Sequence, residues 1–180
     1  MDFFPPQKFA DSSPYPPVRV QGISRTYAAE MLSNIGSCNS EMSAVSLYIY
    51  NNQILKRDFP AFAQCFHKIS MVEMQHLDIF SQLACLLGAD PRLWSYGRNG
   101  LGYWSPSCNH YSQKIRDLIL NSLRGEEDTI RKYKRQMSLI QDCHICDVLR
   151  RIILDEEIHV EIFKNMLSWL DSGNPSSFPS

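Results

Sequence analysis

The chain lacks long hydrophobic runs, an excess of either charge, and any abundance of glycine or cysteine. No apolar stretch reaches the roughly 18 residues of a transmembrane helix, so no membrane span is expected. With 18 Lys+Arg against 19 Asp+Glu the formal net charge is -1, which leaves no basic field for nucleic acid or an anionic membrane surface. The cysteines, Cys38, Cys65, Cys85, Cys108, Cys143 and Cys146, are too few for a disulfide scaffold in a chain able to build a core. The opening Met1-Asp2-Phe3-Phe4-Pro5-Pro6 is acidic and proline-broken, unlike a secretory leader. Period-two alternation with hairpin turns is absent, so no strand is expected. What these absences leave is a one-domain cytoplasmic chain, with 44% hydrophobic residues sufficient for a core.

Proline placement divides the chain. Pro5, Pro6, Pro14, Pro16 and Pro17 crowd the start, Pro175 and Pro179 the end, and only Pro60, Pro91 and Pro106 lie between. Proline breaks helix interiors, so residues 18–59, 61–90 and 107–174 are free to form long helices. Residues 1–23 read as a Pro-rich arm, 24–171 as the domain and 172–180 as a tail.

The apolar rhythm fills those windows. Phe62, Phe66, Ile69, Glu73, His76, Phe80, Leu83 and Leu87 alternate steps of four and three, as do Ile145, Leu149, Ile152, Glu156, His159, Phe163, Met166 and Leu170. Each set is one face of a long helix. A third stripe is Ile115, Ile119, Ser122, Glu126, Thr129, Tyr133, Met137, Ile140; a fourth is Glu41, Ala44, Tyr48, Asn52, Leu55. Ser24 caps a short helix ahead of them, ending near Gly36. Asp58 and Gly88 are expected to bracket the second long helix, Asp142 and Gly173 the fourth. The class is all-α. Short joints near 57–60 and 141–143 make two antiparallel hairpins, and residues 89–109 are long enough to cross the bundle between them.

The inner faces carry groups foreign to a core. Glu41 and Glu126 each begin Glu-x-x-small-aliphatic-x-x-Tyr, ending at Tyr48 and Tyr133. Glu73 to Phe80 and Glu156 to Phe163 both read Glu-x-x-His-aliphatic-acid-Ile-Phe. The domain is thus two copies of one helical hairpin. Composition alone predicts roughly 0.2 Glu-x-x-His matches; two occur, both in phase with an apolar stripe. Four inward carboxylates would repel by about 3 kcal/mol per pair at an effective dielectric near 20, and burial adds its own cost. Two divalent ions would balance the charge. A Glu and a His three residues apart share a helix face and reach one ion, and this O/N donor set suits iron or manganese.

These motifs resemble the ferritin-like di-iron/di-manganese carboxylate superfamily, whose ligands are two Glu and two Glu-x-x-His from four helices. The resemblance implies a four-helix bundle with Glu41, Glu73, His76, Glu126, Glu156 and His159 as metal ligands. Glu73 and Glu156 would bridge the metals, with Tyr48 and Tyr133 behind the ligand carboxylates. The symmetric ligand set is similar to those of bacterioferritin and manganese catalase. Rubrerythrins usually add a Glu one turn after the third-helix ligand, where this chain has Thr129, and often a module with two Cys-x-x-Cys pairs, where it has only Cys143-His144-Ile145-Cys146. Tyr15-Pro16-Pro17-Val18-Arg19-Val20, the short helix, Gly36 and Glu41-Met42-Ser43-Ala44 resemble the opening of manganese-catalase-like proteins, small spore-coat members included.

The resemblance implies redox chemistry on peroxide, dioxygen or ferrous ion, with peroxide detoxification the first expectation and an external electron donor needed for peroxidase action. Iron storage and a coat or assembly role with a structural metal site are the alternatives, the latter placing the chain in a spore coat. Trp94, Tyr96, Tyr103 and Trp104 suit a homo-oligomer, a dimer or larger. His67, His110 and His144 lie off the inner stripes, Cys38 reads as a small core residue, and Glu127, Glu157, Asp78 and Glu161 as solvated neighbours.

Overall fold

A computed structural model describes residues 5–97 and 100–173. Residues 1–4 of the expected arm and 174–180 of the expected tail lie outside them. The helices are α1 (Arg25–Gly36), α2 (Glu41–Leu55), α3 (Pro60–Leu86), α4 (Ile115–Leu139) and α5 (Cys143–Asp171), and the crossover holds β1 (Trp94–Gly97), β2 (Gly100–Tyr103) and a 3-10 turn (Pro106–Cys108). α2 packs along α3 and α4 along α5, while α1 lies across α3. The architecture is a ferritin-like four-helix bundle with a short extra N-terminal helix.

Local chemistry explains the boundaries. The Ser24 hydroxyl accepts from the Tyr27 amide at the start of α1. The Asp142 carboxylate accepts from the His144 amide at the start of α5, and its second oxygen takes the Gln21 amide at 2.6 Å. One cap therefore also anchors the arm. Gly88 and Gly173 follow their helices at φ 89° and 83°, the left-handed conformation that ends helices on glycine. Asp58, expected to start α3, instead pairs with Arg57. Phe59 occupies the N-cap and Pro60 the first turn, where a missing N–H costs nothing.

Every residue of the two Glu-x-x-His stripes is buried. The other stripes are corrected in detail. On α2 the buried set is Glu41, Ser43, Val45, Tyr48, Asn51 and Leu55, with Ala44 and Asn52 half-buried. On α4 Gln136 is buried where Met137 was expected, and Thr129 is half-buried. Both substitutions are polar pairs: Asn51 donates to the Ser122 hydroxyl at 3.2 Å, and Gln136 exchanges two 2.9 Å bonds with Asn34 of α1. The Gln136–Asn34 pair is satisfied on both sides, whereas Asn51 Oδ1 is buried without a hydrogen-bond partner.

Two expectations fail in the crossover. It contains an antiparallel hairpin, Trp94 opposite Tyr103 through Gly97 opposite Gly100; β2 is exposed throughout and β1 at its outer end, so neither strand needs alternating hydrophobicity. Cys38 is bonded to Cys108 rather than serving as a small core residue, tying the α1–α2 link to the crossover across a sequence separation of 70. A loop of that length is worth about 4 kcal/mol in the chain-entropy picture. Reduction, or a Cys38→Ser/Cys108→Ser double variant, should lower stability by about 2–4 kcal/mol in denaturant melts.

Gly36 meets the crossover backbone directly. A Cβ there would lie 2.3 Å from the Trp94 nitrogen and 2.6 Å from the Leu93 carbonyl carbon. Neither backbone atom can swing aside as a side chain could. Gly36→Ala should therefore cost about 1–3 kcal/mol, measured as a lowered thermal midpoint.

Candidate metal centre

The bundle axis brings the six expected residues together from four helices. Glu41 comes from α2, Glu73 and His76 from α3, Glu126 from α4, Glu156 and His159 from α5; all are at most 2% exposed. Two overlapping sets of donor atoms result. Glu41, Glu73, His76 and Glu156 offer atoms within 4.8 Å of one another, and so do Glu73, Glu126, Glu156 and His159. Glu73 and Glu156 belong to both sets.

The histidines turn one nitrogen inward and one outward. His76 Nδ1 lies 3.0 Å from Glu73, 3.4 Å from Glu156 and 3.9 Å from Glu41. His159 Nδ1 lies 2.9 Å from Glu73, 3.0 Å from Glu156 and 3.7 Å from Glu126. The two tyrosines cross the bundle: the Tyr48 hydroxyl donates to Glu126 at 2.5 Å, and that of Tyr133 donates to Glu41. Each Glu of one hairpin is thus held by the Tyr of the other, the exchange that the repeat's pseudo-twofold symmetry produces.

These residues fit a metal pair. Glu73 Oε1 and Glu156 Oε1 are buried with no hydrogen-bond partner, although His159 Nδ1 comes within 2.9 Å of the first and His76 Nδ1 within 3.4 Å of the second; the approaches lack hydrogen-bond geometry. Buried carboxylate oxygens left in this state are expensive, and a cation between the two sets would satisfy both. The donors are oxygen and imidazole nitrogen without thiolate, a set for iron or manganese.

The protonation pattern of the bare cluster carries the same strain. Burial, then the charges of Glu73 and Glu156, push Glu41 and Glu126 well above the usual carboxylate range. For the histidines burial acts downward, but the surrounding carboxylates (Glu156 foremost for His76, Glu73 for His159) raise both well above the ordinary value. Burial would raise Glu73 too, but the charge of the closely approaching His159, with the hydrogen bond and charge of His76, brings it below the usual range.

The outward nitrogens meet residues that the sequence reading missed. His76 Nε2 donates to Asp155 at 3.0 Å, and the Tyr15 hydroxyl donates to the same Asp155 oxygen at 2.5 Å. The other Asp155 oxygen takes Arg151 at 2.7 Å and the Asp11 amide at 2.6 Å. Burial works against the Asp155 charge, but bonds from His76, Tyr15 and Arg151 prevail and lower it to about 2. His159 Nε2 donates to the Phe9 carbonyl at 2.9 Å. A carbonyl only accepts, so Nε2 carries the proton and Nδ1 of a neutral His159 keeps its lone pair for the centre. The Arg151 guanidinium also lies 4.2 Å above the Tyr15 ring and donates to Ser13 and Asp11 carbonyls. The arm is therefore a wall of the site on its α3/α5 side. The only signal for Asp155 in the sequence was an extra acid beside Glu156; its partner in the arm stands 140 residues away.

The remaining candidates lie apart. His67 and His110 are exposed and His144 is half-buried. Glu157 faces Lys134 and Glu127 faces Lys164 at the surface. Cys143 and Cys146 are free, and burial raises the Cys146 thiol, which opposes the thiolate a redox pair needs.

Four helices offering two carboxylate-histidine sets, with two carboxylates common to both, define the ferritin-like class of dinuclear carboxylate proteins. Within that class the rubrerythrin family profile matches residues 35–167. The chain belongs to the rubrerythrin family, with Thr129 at the place where the sequence reading set an additional Glu in typical rubrerythrins. Comparison with curated proteins gives no match. A manganese catalase from Anabaena shares the fold at a TM-score of 0.80 and 16% identity, covering 97% of this chain and 85% of its own. Bacterioferritin of Rhodobacter capsulatus, solved with a metal-free dinuclear site, superposes at 0.70 with 21% identity over 87% of this chain and 97% of its own. A dodecameric thioferritin from Bacteroides fragilis reaches 0.66 at 15% identity, covering 87% and 94%. No helix among the described residues is long and apolar enough to cross a membrane.

Proposed function

We propose that this chain holds two iron or manganese ions and disproportionates or reduces hydrogen peroxide. The observation that carries the reading is the pair of overlapping donor sets sharing Glu73 and Glu156. His76 and Glu41 would hold one ion and His159 and Glu126 the other, with Glu73 and Glu156 available to both. Bound there, the ions supply redox equivalents and Lewis acidity. The protein's own part is positional: Tyr48 and Tyr133 orient the terminal carboxylates, and Asp155 and the Phe9 carbonyl fix the histidine rings.

With a symmetric set and Thr129 in place of a further carboxylate, manganese loading and disproportionation need no outside reductant. Iron loading makes the chain a peroxidase or ferroxidase, drawing electrons from a partner or from ferrous ion itself. Exposed Tyr96 and Tyr103 on the hairpin, 66% accessible each, favour assembly as a dimer or larger.

The test is oxygen evolution from peroxide by the manganese-loaded and iron-loaded proteins. Oxygen release by the manganese form supports the catalase-type reading. Silence there, with ferrous oxidation by the iron form, replaces it with a ferroxidase. A loaded protein inert in both assays leaves a structural metal site and the coat or assembly role.

Loading should also release protons. The metal-free histidines hold theirs through neutral pH, and a ligand must shed its proton to bind. Affinity should therefore fall as pH falls. Metal added in weak buffer at pH 6.5 should liberate about two or more protons per site, read with an indicator dye.

A further inference from the structure

The centre is walled unequally. On the α3/α5 side the arm seals it, with Tyr15 and the Phe9 carbonyl at the outward histidine nitrogens. On the α2/α4 side, where the two helices touch only sparingly, a cleft of about 650 Å3 opens from the surface. Its walls include Ala44, Leu47 and Tyr48 from α2 and Gly125, Glu126 and Thr129 from α4. Glu126 belongs to one donor set and Tyr48 is bonded to it, so the cleft runs from the surface to the centre itself.

Gly125 stands in the interior of α4, where glycine costs about 1 kcal/mol relative to alanine. At Gly36 a close backbone forbids a side chain, but a Cβ on Gly125 would meet nothing within 4 Å. Packing therefore does not require this glycine. It is exposed and lines the cleft beside Glu126.

The mouth is held in place as well. The Cys38–Cys108 disulfide lies on its rim. The Trp104 indole donates to Ser43 at 2.9 Å and the Asn109 amide to Ser46 at 2.7 Å. These bonds pin the crossover to α2 beside the opening instead of across it. The size also has a meaning: a divalent ion with about six waters of roughly 30 Å3 each fits within it.

We propose that the α2/α4 cleft, with Gly125 in its wall, is the route by which divalent cations reach the centre. This rests on the reading of the six residues as a metal centre. The test uses the full-length metal-free Gly125→Cys variant, folded first and then alkylated with a bulky maleimide, so that the plug enters a finished structure. Exposed Cys85 and Cys143 react as well, and wild type given the same treatment controls for them. Cobalt(II) uptake is followed by its visible absorption.

The unmodified variant and the treated wild type should load at the wild-type rate. The alkylated variant should load slower by about an order of magnitude or more and reach the same final cobalt content. Equal loading rates before and after complete alkylation at position 125 overturn the route while leaving the centre intact. Failure of the wild type to take up cobalt overturns the centre and the route together.

Discussion

Glu73→Gln should empty the centre of both ions. Glu73 stands in both donor sets, and both inward histidine nitrogens face it, at 3.0 and 2.9 Å. An amide keeps the volume but loses the charge and one of the two carboxylate oxygens. Two divalent ions would then face three carboxylates, leaving mutual repulsion that the buried site cannot screen. Metal content should fall from about two ions per chain to well below one. Glu41→Gln touches a single set and should retain about one ion. Equal losses in the two variants would contradict the assignment of Glu73 as a bridge. The comparison needs only metal analysis of two proteins differing by one oxygen-to-nitrogen exchange each, and circular dichroism establishes that both are folded.

Asp155→Asn should weaken metal binding and loosen the arm together. Asp155 gathers His76, Tyr15, Arg151 and the Asp11 amide on its two oxygens. Removing its charge leaves the Arg151 guanidinium, 6% exposed, without a counter-ion, a loss of about 3–5 kcal/mol for a buried pair broken on one side. It also removes the carboxylate that orients His76, for which a 10–100-fold loss of metal affinity is typical, on the order of 1–3 kcal/mol. Tyr15→Phe separates the two effects. It deletes one hydrogen bond to Asp155 but spares the Arg151 pair, so affinity should fall by less and stability by only about 1 kcal/mol. Competition against a chelator gives the affinities and thermal melts give the stabilities. An Asn variant with wild-type affinity would mean that His76 is oriented by packing alone.

The long helices with Glu-x-x-His were legible because their signal is local. Each apolar step of three or four residues buries one more side chain, and all sixteen stripe residues of α3 and α5 are inside. The stripes of α2 and α4 were legible at Glu41, Tyr48, Ser122, Glu126 and Tyr133 but not throughout. Gln136 is buried because Asn34 completes it from another helix, and Asn51 is buried against Ser122 of α4; a pattern that scores hydrophobicity passes over both. The hairpin was invisible for a related reason, since strands facing water need no alternation. The six centre residues share a phase with the core, which made them conspicuous. Asp155, Tyr15 and Phe9 act through contacts spanning 140 and 150 residues, and Phe9 acts through a carbonyl that every residue possesses. Cys38 and Cys108 give no sign of their pairing either, because connectivity follows from the crossover's path.

The central claim is that the two donor sets each hold an ion, and counting metal tests it most directly. Protein purified untagged from cells supplied with both iron and manganese, analysed by plasma mass spectrometry, should carry about two ions of iron plus manganese per chain. Fewer than one per chain, unchanged after anaerobic loading with either metal, would mean that the buried carboxylates and histidines satisfy one another without a cation, and the account would fail at its root.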